Sequence, residues 1–349
     1  MSSPSVIGWD VGGAHVKAAL VRDGRLQAVR QWPCPLWQGL HHLDAVLDRV
    51  LADLAPAQAD RVCHAVTMTG EMVDLFESRQ DGVIRLVRQL RSRLGPDMLL
   101  FAGTGPWRSS DEAADHWQSL ASANWAATAR LVAARVADGD ALLVDIGSTT
   151  TDFIPLAGGE VRATARDDAQ RLRSGELLYH GVIRTPLCAL CRRIDFLGES
   201  FNVMNEWFAT TADVYRLTGE LDPDHDQHPA ADGGPKDIAG SCRRIARMIG
   251  HDSDDAQVGD WIAFAARWRG LQLDLLQAEL LRLAPYGTTL VGAGCGGFLV
   301  RDLAQRLQRH HVAFADLADA PEPLRGWAGV CAPAVAVAML RADAEQPWR

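Results

Sequence analysis

One short pattern occurs twice in this chain: an apolar run, then an aspartate, then a turn that contains glycine. The first copy is DVGGAHVK at residues 10–17, after VIGW, and the second is DIGSTTTD at residues 145–152, after ALLV. Each copy predicts a strand, a tight turn and a second strand. The chain therefore contains an internal repeat.

The residue types in these turns suit the binding of phosphate. Glycines permit positive φ angles and a close backbone approach, and turn amides point toward an anion. An aspartate at a strand end can hold a hydrated Mg²⁺, and the hydroxyls of the second copy are available to phosphate oxygens. Taken singly, each copy is also compatible with an ordinary β-hairpin.

A third glycine-rich element is TTLVGAGCGGF at residues 288–298, which predicts a strand that enters a helix. It also fits the pattern G-x-G-x-x-G through Gly292, Gly294 and Gly297, with Asp316 at the spacing of a ribose-binding acid. A dinucleotide fold built here would have only about 50 residues left, too few for a doubly wound sheet. The dinucleotide alternative would also leave both upstream hairpins unexplained.

Strands that alternate with helices predict an α/β architecture, and 349 residues favour two lobes. We expect a first lobe at residues 1–137, against which a C-terminal helix at about 327–349 packs back. We expect a second lobe at 138–326 with a mainly helical insertion at about 166–285. Within these lobes, residues 111–137 predict one long helix or two abutting helices, and residues 327–340 predict a single helix.

Composition narrows the classes of partner. The net charge of −9 argues against nucleic acid and leaves small molecules as the expected partners. Seven cysteines, an odd number, suit reduced intracellular thiols, and the sequence shows neither a leader peptide nor an apolar run of about 20 residues. We therefore expect a cytoplasmic protein without a membrane segment.

Two Asp-Gly hairpins followed by a strand-glycine-helix element resemble the actin, Hsp70 and sugar kinase superfamily. That resemblance implies two duplicated, ribonuclease H-like lobes with a central cleft. It implies that Asp10 and Asp145 face a metal. The implied phosphate-binding residues are Gly12, Gly13, Gly147, Ser148, Thr149 and Thr150, and the implied nucleotide- or substrate-binding residues are Gly292, Gly294, Gly296 and Gly297.

Further motifs give a finer resemblance. They are GWDVGGAH at residues 8–15, PCPLWQG at 33–39, MTGEMVD at 68–74, GELLY at 175–179, RTP at 184–186 and NEWFATTADVYR at 205–216. Together they resemble the hydantoinase/oxoprolinase-like family linked to tetrahydromethanopterin-dependent one-carbon metabolism, whose archaeal members act in methanofuran biosynthesis. The resemblance implies a transferase that joins a furfuryl carbon to the phenol oxygen of γ-glutamyl-tyramine, or of a tyrosine-like acceptor, and releases pyrophosphate.

On this hypothesis Mg²⁺ is the expected cofactor, and ATP is compatible but not required. Asp10, Asp145 and Asp152 would hold the metal, and Lys17 would contact the diphosphate. Glu71 or Glu176 would receive a proton or the substrate amine. Lys17 has a competing interpretation as a lobe-surface cation, and Glu71 and Asp74 as caps of the following helix.

Two other functions stay open from the sequence: an ATP-dependent small-molecule kinase or ATPase, and a non-catalytic nucleotide-sensing scaffold. Cys188 and Cys191 are compatible with a packed thiol pair, half a zinc site or a redox pair. The acidic loop at 221–237 predicts a solvated excursion or a substrate lid. We expect Trp207 to lie in a core, on a helix.

Overall fold

The computed structural model describes residues 5–54, 62–136, 139–285 and 287–345; the predicted domain limits at 1, 137, 138 and 349 lie outside them. The strands are β1 (Ser5–Val11), β2 (His15–Arg22), β3 (Arg25–Pro33), β4 (Val62–Met68), β5 (Leu99–Leu100), β6 (Arg108–Ser109), β7 (Asp140–Ile146), β8 (Thr151–Ala157), β9 (Glu160–Val161), β10 (Leu177–Leu178), β11 (Arg193–Phe196), β12 (Glu199–Asn202), β13 (Thr289–Ala293) and β14 (His311–Ala313). The α-helices are α1 (Leu40–Leu54), α2 (Arg79–Leu94), α3 (Trp117–Leu120), α4 (Asn124–Val136), α5 (Asp168–Ser174), α6 (Thr211–Leu217), α7 (Ile238–Arg247), α8 (Val258–Leu283), α9 (Gly297–Arg306), α10 (Phe314–Leu317), α11 (Arg325–Val330) and α12 (Ala332–Glu345).

Two sheets share one order of strands. The first has the order β3-β2-β1-β4-β5-β6, and the second has the order β10-β8-β7-β13-β14, with β9 also paired to β8. In each sheet three consecutive strands lie side by side, as β3-β2-β1 and as β9-β8-β7. Two strands from later in the chain, β4-β5 or β13-β14, then extend the sheet. This duplication confirms the predicted α/β fold class with ribonuclease H-like sheets.

The described residues form two compact units. Of these residues, the first unit draws on 5–54, 62–136, 139–143, 154–171 and 312–345, and the second draws on 144–153, 172–285 and 287–311. These units differ from the lobe limits expected from the sequence, because residues 139–143, 154–171 and 312–326 join the first unit. The chain thus passes from one unit to the other within β7, β8, α5 and β14.

In the first unit β1 is buried on both faces. Ile7, Trp9 and Val11 contribute to a core that includes apolar residues of α1 and α2. Gly8 lies on the opposite face, where a Cβ would be 2.2 Å from the carbonyl oxygen of Ala334 on α12. Because side chains alternate along a strand, Asp10 lies on the face of Gly8. Asp10 therefore lies on the face of β1 against which α12 packs, two residues after the contact at Gly8.

The single helix predicted at residues 327–340 is wrong. The chain forms α11 and α12, and the segments on either side of the break are bent by 106°. Pro333 lies in the first turn of α12, where its missing N–H costs nothing but where it cannot continue a preceding helix. Within the described residues no single helix is long and apolar enough to cross a membrane, and these two segments meet that test only as a bent pair.

Two other predicted helical stretches are also interrupted. Residues 111–137 do not form one helix or two abutting ones, because the short α3 is separated from α4 by Ser122, which has a φ of 49°. The stretch 166–285 contains α5 to α8 but also β10 and the β11–β12 hairpin. Leu197 and Gly198 at the tip of that hairpin both have positive φ, as a type I′ turn requires. The leucine hides this turn from sequence analysis.

A second apolar core joins α6, α7 and α8 in the second unit. Phe196 of β11 stacks on Trp261 of α8 with ring centroids 4.5 Å apart. The prediction that Trp207 lies in a core on a helix is wrong, because its side chain is 61% exposed and α6 begins only at Thr211.

The acidic loop at residues 221–237 is partly held by ion pairs. Asp226 is buried and pairs with Arg216, and it lies 3.4 Å from Lys236 Nζ. Asp232 Oδ1 lies 3.1 Å from Nη1 of Arg244, which is itself fully buried. These two carboxylates therefore hold the loop on the helical part of the second unit, whereas Asp224 stays exposed.

Candidate functional site

The first hairpin places Asp10 and Lys17 opposite each other on β1 and β2. Asp10 is 3% exposed, and its Oδ2 lies 3.8 Å from Lys17 Nζ. The Lys17 side chain is itself only 22% exposed. A buried carboxylate needs a compensating charge, and Lys17 supplies it. The ammonium therefore lies beside the aspartate at the turn and is not a solvated surface cation.

Two sequence motifs from elsewhere in the first unit pack on this turn. The Leu36 amide donates to the carbonyl oxygen of Gly13 at 3.1 Å, and the Thr69 amide donates to that of Val11 at 3.0 Å. A Cβ on Gly70 would lie 2.8 Å from Leu36 Cδ2 and 3.2 Å from the Val11 oxygen. Gly70 thus allows both segments to close around the Asp10 hairpin.

Glu71 follows this contact and is 1% exposed. Ser122 Oγ donates to Glu71 Oε1 at 2.7 Å, and Arg79 Nη2 donates to the same oxygen at 3.3 Å. Burial raises the pKa of Glu71 above its usual value, against the lowering effect of Ser122 and Arg79. Among the described residues, Glu71 Oε2 is buried without a hydrogen-bond partner.

The same cluster extends to α5 and α4. Arg79 Nη2 also donates to Ser122 Oγ at 2.9 Å and lies 3.7 Å from Asp168 Oδ2. Arg171 lies 3.9 Å from Asp168 Oδ1 and stacks over the ring of Trp125. Sequence analysis did not predict this network, because its members are spread from residue 71 to residue 171.

The capping alternative for Glu71 and Asp74 is wrong. The N-cap of α2 is Ser78, whose side chain accepts a hydrogen bond from the Asp81 amide at 3.1 Å. Glu71 lies in a separate 3₁₀ turn, Gly70–Met72. The Glu71 carboxylate therefore binds Arg79 and Ser122 and does not cap α2.

The second hairpin joins β7 to β8 in the second unit. The Gly147 amide donates to the carbonyl oxygen of Thr150 at 2.9 Å and closes the turn. Asp145 precedes the turn and is half-buried, as are all four turn residues. The hydroxyls of Ser148 and Thr149 lie 3.4 Å apart. The two hydroxyls are therefore neighbours in the turn that follows Asp145.

Residues 181–184 pack against this turn. The amides of Ile183 and Arg184 donate to the carbonyl oxygen of Ser148 at 3.1 and 2.8 Å. A Cβ on Gly181 would lie 2.4 Å from the Thr149 nitrogen, so only glycine fits there. The RTP motif gave a sequence signal for this segment, but nothing in it singled out His180 or Gly181.

Helix α8 holds the Gly181 peptide in place. Gln272 Nε2 donates to the Gly181 carbonyl oxygen at 2.9 Å, and Tyr215 donates its hydroxyl proton to Gln272 Oε1 at 2.7 Å. Both Tyr215 and Gln272 are fully buried. A polar chain therefore runs from the core of the second unit to the back of the second hairpin.

The third glycine element packs against the same hairpin. Gly294 has a φ of 81°, and a Cβ there would lie 2.1 Å from the Ile146 carbonyl oxygen and 2.5 Å from Asp145 Oδ1. The Gly296 amide donates to the Ile146 oxygen at 2.8 Å. Packing against β7 accounts for these glycines without a dinucleotide. Asp145, residues 147–150 and the turn before α9 therefore form one cluster.

The remaining predicted residues lie as follows. Glu176 is buried, and its carbonyl oxygen accepts from the Phe153 amide at 2.8 Å, while Asp152 is half-buried in β8. Gly292 lies in β13 beside His311, and Gly297 begins α9 with open space around it. Cys188 and Cys191 are free thiols, and burial raises the pKa of Cys191.

The donor set suits Mg²⁺ only with help from a ligand. Across residues 5–54, 62–136, 139–285 and 287–345, no three His, Cys, Asp or Glu side chains are placed to hold a metal. Mg²⁺ is commonly bound by one or two carboxylates, water and the phosphates of a substrate. Each unit offers one such carboxylate at the end of a strand before a glycine turn, Asp10 in the first unit and Asp145 in the second.

Two proteins of known name are similar in sequence to this chain. A protein named (4-{4-[2-(gamma-L-glutamylamino)ethyl]phenoxymethyl}furan-2-yl)methanamine synthase from Methanocaldococcus jannaschii is 29% identical over 280 residues, which cover 80% of this chain and 82% of that protein. A protein of the same name from Methanococcus vannielii is 32% identical over 174 residues, 49% of this chain and 78% of that protein.

A solved nucleotide-free structure of acetone carboxylase superposes with a TM-score of 0.50 at 11% identity, covering 86% of this chain and 66% of that one. This likeness concerns the fold alone. The model of the hydantoinase/oxoprolinase family matches residues 62–344, which is most of the chain. The chain therefore belongs to the hydantoinase/oxoprolinase family.

Proposed function

We propose that this chain is a transferase of methanofuran biosynthesis. It joins an aminomethyl-furanmethyl group, supplied as the diphosphate, to the phenol oxygen of γ-glutamyl-tyramine or a tyrosine-like acceptor. The observation that carries this proposal is the match over 80% of the chain to a protein named as a furanyl-methanamine synthase with a phenoxymethyl linkage. The repeated Asp-Gly hairpins support it, since the substrate carries a diphosphate.

The reaction exchanges one carbon–oxygen bond for another. The bond between the furfuryl carbon and the diphosphate oxygen breaks, and its electron pair leaves with pyrophosphate. A lone pair of the phenol oxygen forms the ether bond, and the phenol proton is released. The developing negative charge lies on the leaving group, so donors fixed before the reaction stabilise the transition state.

In the second unit the turn at residues 147–150 supplies such donors. The hydroxyls of Ser148 and Thr149 and the turn amides would bind the diphosphate, held rigidly by the contacts of residues 181–184. In the first unit Lys17 would bind phosphate oxygens beside Asp10. The proposed metal ligands are Asp10 in the first unit and Asp145 and Asp152 in the second unit, and Mg²⁺ would supply further positive charge to the leaving group when bound.

The phenol proton needs an acceptor, for which Glu71 and Glu176 are the candidates. Both are buried, and Glu71 already accepts hydrogen bonds from Ser122 and Arg79. Burial raises the pKa of Glu71, which makes it a stronger base than an exposed carboxylate. This electrostatic property favours Glu71 over a solvated acid.

The proposal includes a cytoplasmic location and small-molecule partners, with nucleic acid disfavoured by the net charge of −9. Its test is pyrophosphate release by purified protein with Mg²⁺, the furanmethyl diphosphate and γ-glutamyl-tyramine or tyrosine, with ATP alone as the parallel reaction. Acceptor-dependent pyrophosphate together with the ether product supports the proposal. ATP hydrolysis without either product contradicts it.

A further inference from the structure

His180 precedes Gly181 in the segment that packs against the second hairpin. A Cβ on Gly181 would lie 2.4 Å from the Ser148 carbonyl carbon and from the Thr149 nitrogen, so His180 is one residue away from a backbone contact with the turn at residues 147–150. Four side chains bind the backbone of His180 and Gly181. Thr151 Oγ1 donates a hydrogen bond to the His180 carbonyl oxygen, and Thr185 Oγ1 accepts one from the Gly181 amide. The Gly181 carbonyl oxygen accepts hydrogen bonds from Thr211 Oγ1 and Gln272 Nε2. Such support is what a residue that must act in a fixed position requires.

The two nitrogens of the His180 ring have different surroundings. Nδ1 is buried and has no hydrogen-bond partner among the described residues. Nε2 makes no hydrogen bond within the described ranges and is not among the buried atoms without a partner, so it lies on the accessible side of this half-buried ring. A buried N–H without an acceptor is avoided more strictly than a buried lone pair. The ring therefore carries its proton on Nε2.

This arrangement also keeps the ring neutral. A second proton would have to sit on Nδ1, in a buried position without an acceptor. Burial accordingly lowers the pKa of His180 below its usual value. At neutral pH the accessible edge of the ring presents one N–H donor and no positive charge.

We propose that the Nε2–H group of His180 donates a hydrogen bond to the diphosphate bound at the turn of residues 147–150. The inference rests on the proposed function, because it takes the diphosphate as ligand. The proton stays on Nε2 throughout. As the carbon–oxygen bond breaks and the electron pair moves to the leaving oxygen, this hydrogen bond strengthens and favours departure of pyrophosphate.

The alternative role for a histidine here is a general base that takes the phenol proton. Two substitutions separate the roles. In His180→Gln the amide offers an N–H near the position of Nε2 but is not a base. In His180→Phe the ring shape is kept and both functions are lost. His42→Gln is the matched control, because His42 is also half-buried but lies on α1 of the first unit.

We expect His180→Phe to lower kcat for pyrophosphate release by about 10- to 100-fold, the range for a hydrogen bond to a charged group. His180→Gln should stay within about threefold of the unsubstituted protein, as should His42→Gln, because a donor is kept or the site is untouched. Calorimetric titration with inorganic pyrophosphate and Mg²⁺ should show the same ranking in Kd, and thermal unfolding checks that each variant is folded.

Equal kcat and equal pyrophosphate affinity in His180→Phe and the unsubstituted protein would overturn the inference. A loss in His180→Gln as large as in His180→Phe would also overturn it, in favour of the base. If the unsubstituted protein releases no pyrophosphate but binds it through His180, the synthase proposal fails and the hydrogen bond stands. If it neither releases nor binds pyrophosphate, both proposals fail.

Discussion

Gln272, buried in the middle of α8, donates a hydrogen bond to the carbonyl oxygen of Gly181 at 2.9 Å. The two residues are far apart in sequence, and this bond is one of the contacts that hold the Gly181 peptide against the second hairpin. Because Gln272 also accepts a hydrogen bond from Tyr215, its amide links two buried groups. The helical part of the second unit thereby supports the proposed diphosphate site.

Replacing Gln272 by Leu should therefore affect both stability and the site. The substitution leaves the Tyr215 hydroxyl without its acceptor, which should lower the free energy of unfolding by about 1–3 kcal/mol.

In the same variant the Gly181 carbonyl oxygen loses one of its two side-chain donors, so the Kd for inorganic pyrophosphate should rise. Chemical denaturation and calorimetry measure the two effects. The exposed Gln305→Leu on α9 should change neither, and unchanged pyrophosphate affinity in Gln272→Leu would contradict the supporting role.

The two aspartates should be needed for turnover. Asp10→Asn and Asp145→Asn keep the shape of the side chain but remove its charge, and with it the proposed metal ligand. We expect each to lower kcat for pyrophosphate release by about 100-fold or more, because several kcal/mol of charge stabilisation are lost. Asp224→Asn, in an exposed turn, is the control. Undiminished turnover in either aspartate variant would refute the metal assignment.

Close packing of the third glycine element on β7 can be tested without substrate. In Gly294→Ala the Cβ would meet the Ile146 oxygen at 2.1 Å, at a φ of 81°. We expect a loss of about 2 kcal/mol or more in the free energy of unfolding. Gly297→Ala adds a Cβ into open space at the start of α9 and should be neutral or stabilise by up to about 1 kcal/mol. Equal unfolding midpoints for the two variants would contradict this packing.

The sequence predicted the two hairpins and the third glycine element well, because each is a local pattern of an apolar strand and a glycine turn. It did not predict what surrounds them. Glu71 meets Ser122 and Arg79, and Gly181 meets Gln272, through contacts between distant segments that no local periodicity records. The break between α11 and α12 was likewise missed, although Pro333 marks it, because the small apolar residues on both sides continue a helical pattern.

Charge at Glu71 should oppose folding at high pH. The pKa of Glu71 is raised in the folded state above its usual value of 4.5. The protonated Glu71 therefore contributes stability that is fully present below pH 4.5 and is lost as pH rises through the folded-state pKa. Glu71→Gln removes this loss while keeping an acceptor for Ser122. The free energy of unfolding of the variant minus that of the unsubstituted protein should be larger at pH 8 than at pH 4.5, as measured by urea unfolding at both pH values. The opposite trend would show that the ion pair with Arg79 outweighs burial.

His64 should make the first unit sensitive to acid. Trp9 Nε1 donates to His64 Nδ1 at 3.1 Å, a bond that requires the lone pair on Nδ1, and burial lowers the pKa of His64 to about 4. The unfolded chain takes up this proton near 6.5, so the contribution to stability is full above pH 6.5 and is lost as pH falls toward 4. At pH 5 the loss should be about 2 kcal/mol relative to pH 8. His64→Asn keeps an oxygen acceptor for Trp9 but cannot take up the proton. The free energy of unfolding of the variant minus that of the unsubstituted protein should therefore be about 2 kcal/mol higher at pH 5 than at pH 8, as measured by urea titration at both pH values. A difference that does not change with pH would mean that His64 titrates alike in the folded and unfolded chain.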